Sequence, residues 1–316
     1  MASLNVLLLG GTGTIGRATA RALRTDGHRV TALIRPEADA ALLPGCTILR
    51  GQVEPAALAR AMDGMDAVVS CLASRTGAPQ DAWAVDHAGN SAALKAAVAA
   101  RVRQFILLSA ICVQKPLLEF QRAKLAFEAE LQAAPLDWTI VRPTAYFKSL
   151  SGQVARVARG QPFLVFGDGR LTACKPISDA DLGRYLSLSL TEPSMRNRIL
   201  PIGGPGPAIT PLDQAAMLER LTGQPVRIRH VPVALMHGIV GLLSVLGTLS
   251  PRLKAKAQLA RIGRYYATQS MLVWNPATQS YDPDATPAFG RDRLEDHYAA
   301  MLRGEVADDR GAHAIF

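Results

Sequence analysis

The sequence is poor in cysteine and in aromatic residues, and each shortage excludes a class of protein. Only four cysteines occur among 316 residues, at positions 46, 71, 112 and 174, and none forms a C-x-x-C pair. Such scattered cysteines argue against a disulfide framework, a zinc knuckle or an iron–sulfur cluster. Aromatic residues make up 5% of the chain, and no module that reads nucleic acid is apparent. We therefore expect no metal site and no nucleic-acid partner.

A targeting segment is also lacking at the N-terminus, and acidic residues are outnumbered. The first predicted strand begins at Val6, which leaves no room for a signal or transit peptide, so we expect a cytoplasmic protein. The 35 Lys and Arg exceed the 26 Asp and Glu and give a net charge of +9. A phosphate-bearing cofactor, an acidic substrate or an anionic lipid surface would each match this basic surplus.

Charged residues are absent from Val231 to Ser250. This stretch is long enough for a transmembrane helix, but it contains Pro232, His237 and three glycines, and we do not predict one. Basic residues without acids follow it up to Ser270. Three readings remain open: a core helix followed by a solvated face, a lid over a large apolar ligand, or a segment lying on an anionic membrane surface. The core or lid reading is favoured.

The chain begins with a glycine-rich turn between a strand and a helix. An apolar run ends at Leu9, and Gly10, Gly13 and Gly16 follow in the spacing G-x-x-G-x-x-G. Such glycines allow a tight turn, close approach to a pyrophosphate and close packing of helix on strand. The helix N-terminus offers unpaired N–H groups to phosphate. The stretch predicts a dinucleotide site formed by Gly10, Thr12, Gly13, Thr14, Ile15, Gly16 and Arg17.

Arg35 indicates which dinucleotide binds. It follows the second predicted strand, Val30 to Ile34, and lies nineteen positions after Gly16, close to the expected distance. An acidic residue at this place holds the ribose 2′-OH of NAD, whereas an arginine suits the additional 2′-phosphate of NADP. The alternative is an exposed charge at a strand end. We predict NADP (NADPH) as the cofactor, with Arg17 helping from the first helix.

Strand and helix patterns alternate as far as residue 145. Further strands and helices are predicted in turn at Thr47–Arg50, Pro55–Met62, Ala67–Leu72, Ala82–Ala100, Phe105–Ser109, Glu119–Ala133 and Trp138–Val141. This alternation predicts an α/β fold with a doubly wound parallel sheet of the Rossmann type. The loops that follow the strands are expected to border the cofactor at Gln52, Val53, Ala73, Ser74 and Pro143.

The alternation loosens beyond residue 145. Thr210 followed by Pro211 predicts a capped helix start, and short strands are predicted at Phe163–Phe166, Arg198–Ile202 and Val226–His230. We therefore expect an NADP-binding domain over residues 1–145 and a smaller substrate-covering lobe over residues 146–316, with elements that return to the sheet. Ligands of such folds bind at the carboxyl edge of the sheet.

One catalytic side chain of a common pattern is missing. In short-chain dehydrogenases a serine after the fifth strand faces a Tyr-x-x-x-Lys pair, whose tyrosine donates a proton to the substrate oxygen. Ser109 and Lys124 occupy the serine and lysine positions, but Phe120 stands at the tyrosine position. Phenylalanine cannot donate a proton, which disfavours carbonyl reduction. Hydride addition to a conjugated carbon–carbon double bond forms no alkoxide and takes its proton from another group or from water.

Lys124 is predicted to point inward. With Phe120, Phe127 and Leu131 it falls on one face of a helix. A lysine within an apolar stripe needs an anionic or strongly accepting partner, which ribose hydroxyls or phosphates would provide. The alternative is that its side chain extends past its neighbours to water.

Several of these features resemble one superfamily. The glycine spacing, Arg35, Ser109 with Lys124, and residues 139–147 (TIVRPTAYF) resemble the atypical short-chain dehydrogenases of the NmrA and isoflavone-reductase type. The resemblance implies an NADP-dependent enzyme of the Rossmann fold.

Longer segments are similar to a narrower family, the NADPH-dependent divinyl chlorophyllide 8-vinyl reductases. They are residues 109–131, which are the most specific, and residues 175–182, 200–211 and 294–299. The resemblance implies reduction of the 8-vinyl group of a divinyl chlorophyllide or protochlorophyllide to ethyl in chlorophyll or bacteriochlorophyll synthesis. Plant relatives carry a transit peptide, so its absence points to a bacterial enzyme. A flat apolar tetrapyrrole with a propionate suits an apolar cover and a basic surface, and attachment to a membrane surface would match its solubility.

The proton donor has more than one candidate. Tyr146, just after the sixth predicted strand, is the first, ahead of Cys112 or bound water. Each of the two residues has a non-catalytic alternative: Tyr146 would only line the wall of the site, and Cys112 would be an inert apolar residue. We predict Lys124, Tyr146 and Ser109 as catalytic residues, and substrate contacts from Cys112, Phe120, Tyr146 and Phe147.

Two other functions compete with this one. A non-catalytic NADP-binding regulator or assembly factor of the same fold would also lack the tyrosine, although the presence of Lys124 speaks against it. A reductase of phenylpropanoids, quinones or other enones would share the site but not residues 175–182 and 200–211.

Overall fold

A seven-stranded parallel sheet forms the centre of the molecule. The structure, a computed structural model, describes residues 3–246 and 250–307. Its strands in chain order are β1 (Asn5–Leu9), β2 (Arg29–Ile34), β3 (Thr47–Arg50), β4 (Ala67–Ser70), β5 (Gln104–Leu108), β6 (Asp137–Pro143), β7 (Phe163–Phe166), β8 (Arg198–Ile202), β9 (Ile228–Val231), β10 (Val273–Asn275) and β11 (Ser280–Asp282). The large sheet has the order β3-β2-β1-β4-β5-β6-β8, and every pairing in it is parallel. The predicted doubly wound α/β fold is confirmed.

Helices connect the strands, and several of them pack on the sheet. They are α1 (Thr14–Thr25), α2 (Pro55–Met62), α3 (Pro79–Ala82), α4 (Asn90–Ala99), α5 (Glu119–Gln132), α6 (Phe147–Leu150), α7 (Val154–Ala158), α8 (Asp179–Thr191), α9 (Pro211–Thr222), α10 (Val233–Leu246), α11 (Pro251–Thr268) and α12 (Leu294–Leu302). Alternate residues of β1 face opposite cores: Leu8 lies in one cluster and Leu7 in the other. Both are fully buried, as expected for a central strand of a parallel sheet.

The predicted crossover helix is not one regular helix. It consists of α3, a π-helical segment over Trp83–Gly89, and α4. Asn90 donates to the carbonyl oxygens of Val85 and Asp86, at 3.3 and 3.1 Å, and accepts from Ser70 Oγ at 2.5 Å. The alanine-rich pattern could not predict this interruption, because it depends on buried polar groups finding partners. Such π-turns are frequent at functional sites.

α8 and β8 belong to the central sheet although both follow residue 145. β8 pairs with β6 along its length, and α8 packs on α1. Gly183 makes this contact possible, because a Cβ there would lie 2.7 Å from the carbonyl carbon of Ala18. Leu182, Leu186 and Leu190 of α8 are buried in the same core as β1. Elements from the second half of the chain therefore complete the sheet.

The remaining elements form a layer beside the carboxyl edge. β7 pairs with β9 in parallel, and β10 with β11 as an antiparallel hairpin. Thr210 caps α9 by accepting from the Asp213 N–H at 3.3 Å. A third core, centred on the fully buried Tyr298, holds these elements together, and the Tyr298 hydroxyl donates to the Leu150 carbonyl at 2.8 Å.

Residues 233–246 of the charge-free stretch form α10, and the expectation of a core helix is wrong. Only Val240 among the residues of α10 is buried, whereas Leu235, Ile239 and Leu242 are 54%, 43% and 62% exposed. The reason is that α10 packs mainly against α11, where Arg261 donates to Ser244 Oγ at 3.0 Å. Within residues 3–246 and 250–307, no helix is long and apolar enough to span a membrane. The side chains of two residues of the predicted basic run lie outside those described: Arg252 and Lys254.

Candidate active site

The glycine turn forms a cradle that leaves no room for side chains. Gly10 has a φ of +70°, and a Cβ on it would lie 2.5 Å from the carbonyl oxygen of Cys71. A Cβ on Gly16 would overlap the carbonyl oxygen of Gly10. α1 begins after Gly13 with neither a side-chain cap nor an acidic residue in its first turn. Its N–H groups thus remain available to an anion, which fits a dinucleotide pyrophosphate.

The other residues of the predicted turn lie around this cradle. Thr12 precedes the start of α1, and Thr14, Ile15 and Arg17 lie in its first turn. The Thr14 hydroxyl accepts from Lys148 Nζ at 3.0 Å. The first turn of α1 is thus in contact with α6, which follows the sixth strand.

Arg35 directly follows the carboxyl end of β2. Its side chain is 44% exposed, and its Nε lies 3.5 Å from Glu37 Oε1. An ion pair this exposed contributes little to stability, so the guanidinium can exchange Glu37 for a phosphate at small cost. Two residues predicted beside it, Gln52 and Val53, follow the neighbouring strand β3.

Lys124 forms an ion pair that the sequence did not predict. Its Nζ lies 2.8 Å from Oδ1 of Asp86, and the two side chains are 11% and 1% exposed. Asp86 belongs to the π-helical segment, and its Oδ2 accepts from the Ser74 N–H at 3.3 Å. The reading in which the lysine extends to water is therefore wrong, because a buried carboxylate meets the amine. This contact connects Lys124 to the loop Ala73–Ser74, which was predicted to border the cofactor.

Two thiols lie close to Lys124, and one phenol lies close to both thiols. Burial raises the pKa of Cys71 to about 12 and that of Cys112 also above its usual value, while the charge of Lys124 lowers both. Burial likewise raises the pKa of Tyr146, and its two cysteine neighbours add to the effect. Cys112 thus lies near both Lys124 and Tyr146. Pro143, another predicted cofactor residue, ends β6 three positions before Tyr146.

The hydroxyl of Tyr146 has no hydrogen-bond partner in the part of the chain that the structure describes. The tyrosine lies directly before α6, and its backbone pairs with Ile177. A neutral phenol with a raised pKa and an unused O–H can donate a proton to a ligand.

Tyr266 is a site residue that the sequence reasoning missed. It lies on α11, and its hydroxyl is 4.0 Å from the Cys112 sulfur. Its neighbour Tyr265 donates to the Cys112 carbonyl at 2.9 Å. The only signal in the sequence was the pair of adjacent tyrosines. The contact of α11 with a turn about 150 positions earlier depends on the tertiary fold, and local sequence patterns do not predict such a contact.

Ser109 contacts a different group. Its hydroxyl is 2.5 Å from Oε1 of Glu128, a buried carboxylate that is also paired with Arg142. The buried network is fully satisfied by its own members. Ser109 as a catalytic residue therefore stays a prediction without a contact to Lys124.

The two predicted phenylalanine contacts differ in position. Phe120 opens α5 and lies near Gly77, where a Cβ would be 3.7 Å from the Phe120 ring and 2.9 Å from Ile262 of α11. Phe120 thus lies beside the loop after β4, and Ile262 of α11 lies beside the same loop. Phe147 is buried in the third core, with its ring 5.6 Å from that of His297.

Comparison with known proteins decides the family. A family model described as NAD(P)H-binding matches residues 10–193. Divinyl chlorophyllide a 8-vinyl-reductase of Zea mays is 43% identical over 98% of this chain and 82% of its own. The protein of that name from Arabidopsis thaliana is 42% identical over 99% and 80%. The chain belongs to the divinyl chlorophyllide a 8-vinyl-reductase family. It contains an NAD(P)H-binding domain and is an oxidoreductase, as predicted.

More distant similarities concern the fold. The NADPH-dependent quinone oxidoreductase QOR2 of Escherichia coli, complexed with NADPH, superposes with a TM-score of 0.70 at 16% identity, over 94% of this chain and 99% of that one. AtPrR2 with NADP+ and (+)pinoresinol gives 0.69 at 17% identity, over 95% and 99%. The photosystem II assembly factor Ycf39 of Cyanophora paradoxa is 28% identical over 74% of this chain and 73% of its own.

Proposed function

We propose that this protein uses NADPH to reduce the 8-vinyl group of divinyl chlorophyllide, or of divinyl protochlorophyllide, to an ethyl group. The observation that carries the proposal is the 43% identity to the maize reductase across nearly the whole chain. The site agrees with it chemically. Phe120 removes the usual proton donor for carbonyls, and a vinyl group conjugated with a macrocycle needs no donor at that place.

The cofactor is expected at the carboxyl edge of the sheet. The glycine cradle and the N-terminus of α1 bind the pyrophosphate, and Arg35 binds the 2′-phosphate that distinguishes NADPH from NADH. The loops at Gln52–Val53 and Ala73–Ser74, together with Pro143, border its remaining parts. When bound, NADPH supplies the hydride that adds to the vinyl group.

Lys124 orients the nicotinamide end of the cofactor. Asp86 keeps the ammonium group of Lys124 inside the site. Because this group has three N–H donors, it can bind Asp86 and still donate to the ribose hydroxyls. Ser74 donates to the same carboxylate, so the cofactor loop and the lysine are aligned by one acidic side chain.

Tyr146 donates the proton. The vinyl group gains one hydride and one proton to become ethyl, and the O–H of Tyr146 is the neutral donor that no protein group occupies within the described residues. Water then restores the phenol. Cys112, Phe120 and Tyr266 form the wall around the vinyl end of the substrate. We assign Ser109 to the structural network of Glu128 and leave it out of the proton transfer.

The second half of the chain covers the substrate and contacts a membrane surface. We divide the chain by role into a cofactor part, residues 1–145, and a covering part, residues 146–316, apart from α8 and β8, which complete the sheet. Leu235, Ile239 and Leu242 form an exposed apolar strip on α10, and the helix beside it is basic. Such a combination binds anionic lipid surfaces, where an apolar pigment accumulates.

Turnover tests the reaction. The purified protein is incubated with NADPH and divinyl chlorophyllide, and the pigments are separated chromatographically. Monovinyl product at a rate at least a hundredfold above Lys124→Ala supports the proposal. Bound NADPH without turnover would instead favour a regulator, the second candidate suggested by the 28% identity to Ycf39. Preferred turnover of an unrelated enone would contradict the tetrapyrrole substrate.

Vesicle flotation tests the membrane contact. The protein should float with vesicles rich in phosphatidylglycerol and remain behind with phosphatidylcholine, and Leu242→Glu should abolish flotation without changing turnover of detergent-dispersed substrate. Equal flotation of this variant would remove α10 from the proposal. Arg122→Glu, an exposed change on α5, serves as the control for altered charge.

A further inference from the structure

A lysine outside the proposed reaction centre is held over two aromatic rings. Lys115 Nζ lies 4.0 Å from the centre of the Trp274 ring and 5.4 Å from that of Tyr281. It donates to Gln269 Oε1 at 2.9 Å, and the Tyr281 hydroxyl donates to the same oxygen, also at 2.9 Å. The two rings pack edge to face with their centres 4.9 Å apart. We call Lys115, Gln269, Trp274 and Tyr281 the cation cage.

The cation cage is fixed to the segment that carries Cys112. A short 3-10 helix, Ile111–Gln114, follows β5 at the carboxyl edge of the sheet. Gln114 accepts from the Trp274 N–H at 2.8 Å and donates to the Leu272 carbonyl at 2.5 Å. These bonds tie the β10–β11 hairpin to the turn.

α11 reaches the cage from the other side. The Tyr265 hydroxyl lies 2.9 Å from the carbonyl oxygen of Cys112 and 3.3 Å from that of Lys115. The cage and the vinyl end of the site thus share the turn after β5, and the helix that brings Tyr266 to Cys112 also supports Lys115.

Lys115 has a charge without an ionic partner. Across the two described ranges, no carboxylate lies within ion-pair distance of its Nζ, and Gln269 uses one of its three N–H donors. A partly buried ammonium group on aromatic faces has lost part of its hydration. The ammonium group of Lys115 is therefore well suited to bind an anionic group of a ligand. If residue 115 served only to pack against the two rings, an apolar side chain would do so without a charge.

We propose that Lys115 binds the carboxylate of the substrate while Trp274 and Tyr281 flank the adjoining part of the tetrapyrrole. This inference rests on the proposed function. A chlorophyllide carries a free propionate where a chlorophyll carries an ester, and this propionate lies on the pyrrole ring opposite the 8-vinyl ring. By binding the propionate, Lys115 therefore selects the free acid and fixes the orientation of the macrocycle, and with it the position of the vinyl group.

The test compares a free acid with its methyl ester, both as divinyl pigments. Binding is measured at equilibrium by quenching of pigment fluorescence in the presence of NADP+, and KM and kcat are measured with NADPH. A charge-assisted hydrogen bond contributes about 1.5–3 kcal/mol, so the wild-type protein should bind the acid about tenfold or more tightly than the ester. In Lys115→Met the acid should weaken to the level of the ester, while the ester and NADPH are bound as before.

Two control variants separate recognition from folding. Lys115→Arg keeps the charge and the contact with the rings, and should restore most of the preference for the acid. Lys95→Met removes an exposed lysine on α4 and should change nothing. Equal loss for acid and ester in Lys115→Met, or a wild-type protein that binds both equally, overturns the proposal. Binding is measured without turnover. A protein that prefers the acid but does not reduce it would therefore refute the proposed reaction and still support Lys115 as the carboxylate-binding residue.

Discussion

Asp86 and Lys124 form a buried ion pair whose two members come from different helices. Removing one member of such a pair leaves an uncompensated charge, which costs about 3–5 kcal/mol. We expect Asp86→Asn to lower the free energy of unfolding by about this amount and to reduce kcat at least tenfold, because the ammonium loses its orientation. Urea unfolding and turnover with NADPH measure the two effects.

A double substitution separates the stability effect from the catalytic one. Asp86→Asn combined with Lys124→Met removes both charges, and should recover most of the stability lost in Asp86→Asn alone, since no uncompensated charge then remains buried. Activity should remain at the level of Lys124→Ala. Full activity in the double variant would show that neither residue acts in the reaction.

Tyr146 is the proposed proton donor. Tyr146→Phe should lower kcat by about 10²–10⁴-fold and leave NADPH binding unchanged. Because burial raises the pKa of Tyr146 above the usual 10, the phenol keeps its proton at alkaline pH. Wild-type kcat should therefore not fall through this group between pH 8 and about pH 10, where an ordinary phenol would be half ionised. Tyr185→Phe, distant from the site against Phe289, should behave as wild type.

Arg35 tests the cofactor preference. Arg35→Ala removes the guanidinium proposed for the 2′-phosphate and should raise the KM for NADPH about tenfold or more, since charge-assisted contacts contribute about 1.5–3 kcal/mol. The KM for NADH, which has no 2′-phosphate, should stay within twofold. A parallel rise for both cofactors would contradict the assignment.

Elements that depend on local pattern could be predicted from the sequence. The glycine turn, the strand Thr47–Arg50 and the helix Pro55–Met62 have the bounds expected from apolar runs, proline and glycine. The ion pair of Asp86 with Lys124 could not be predicted, because it requires a π-helical turn and the alanine-rich sequence gives no local signal for one. The exposure of α10 could not be predicted for a related reason. An apolar composition predicts a buried helix, and whether the helix is buried depends on which elements pack around it.

The close contact between α1 and α8 depends on a glycine. A Cβ at Gly183 of α8 would lie 2.7 Å from the backbone of α1, so Gly183→Ala forces the helices apart and should cost about 1–3 kcal/mol. Gly241→Ala on α10 is the matched control, because nothing lies within 4 Å of its Cβ position. That change should be neutral or stabilising by up to about 1 kcal/mol through helix propensity. Thermal unfolding of both variants measures the difference.

The central sheet unites both halves of the chain. β8 and α8 come from the second half, yet they pack on β6 and α1. Because α8 and β8 lie in the chain between segments of the covering layer, this layer is tethered to the sheet that carries the cofactor cradle, and we expect the two to unfold together. The division at residue 145 then describes roles and not independent folding units.

Tryptophan fluorescence can test this connection, because the three tryptophans of the chain report on different parts. Trp138 lies in β6 of the central sheet, and Trp274 lies in the hairpin that carries the cation cage. Single-tryptophan variants with phenylalanine at the other two positions should give coincident urea transitions. NADPH at a hundredfold excess over its Kd should stabilise both by about 2.7 kcal/mol, because a ligand of the cradle stabilises every element that unfolds with it. An earlier Trp274 transition that ignores NADPH would instead identify the covering layer as a separate folding unit.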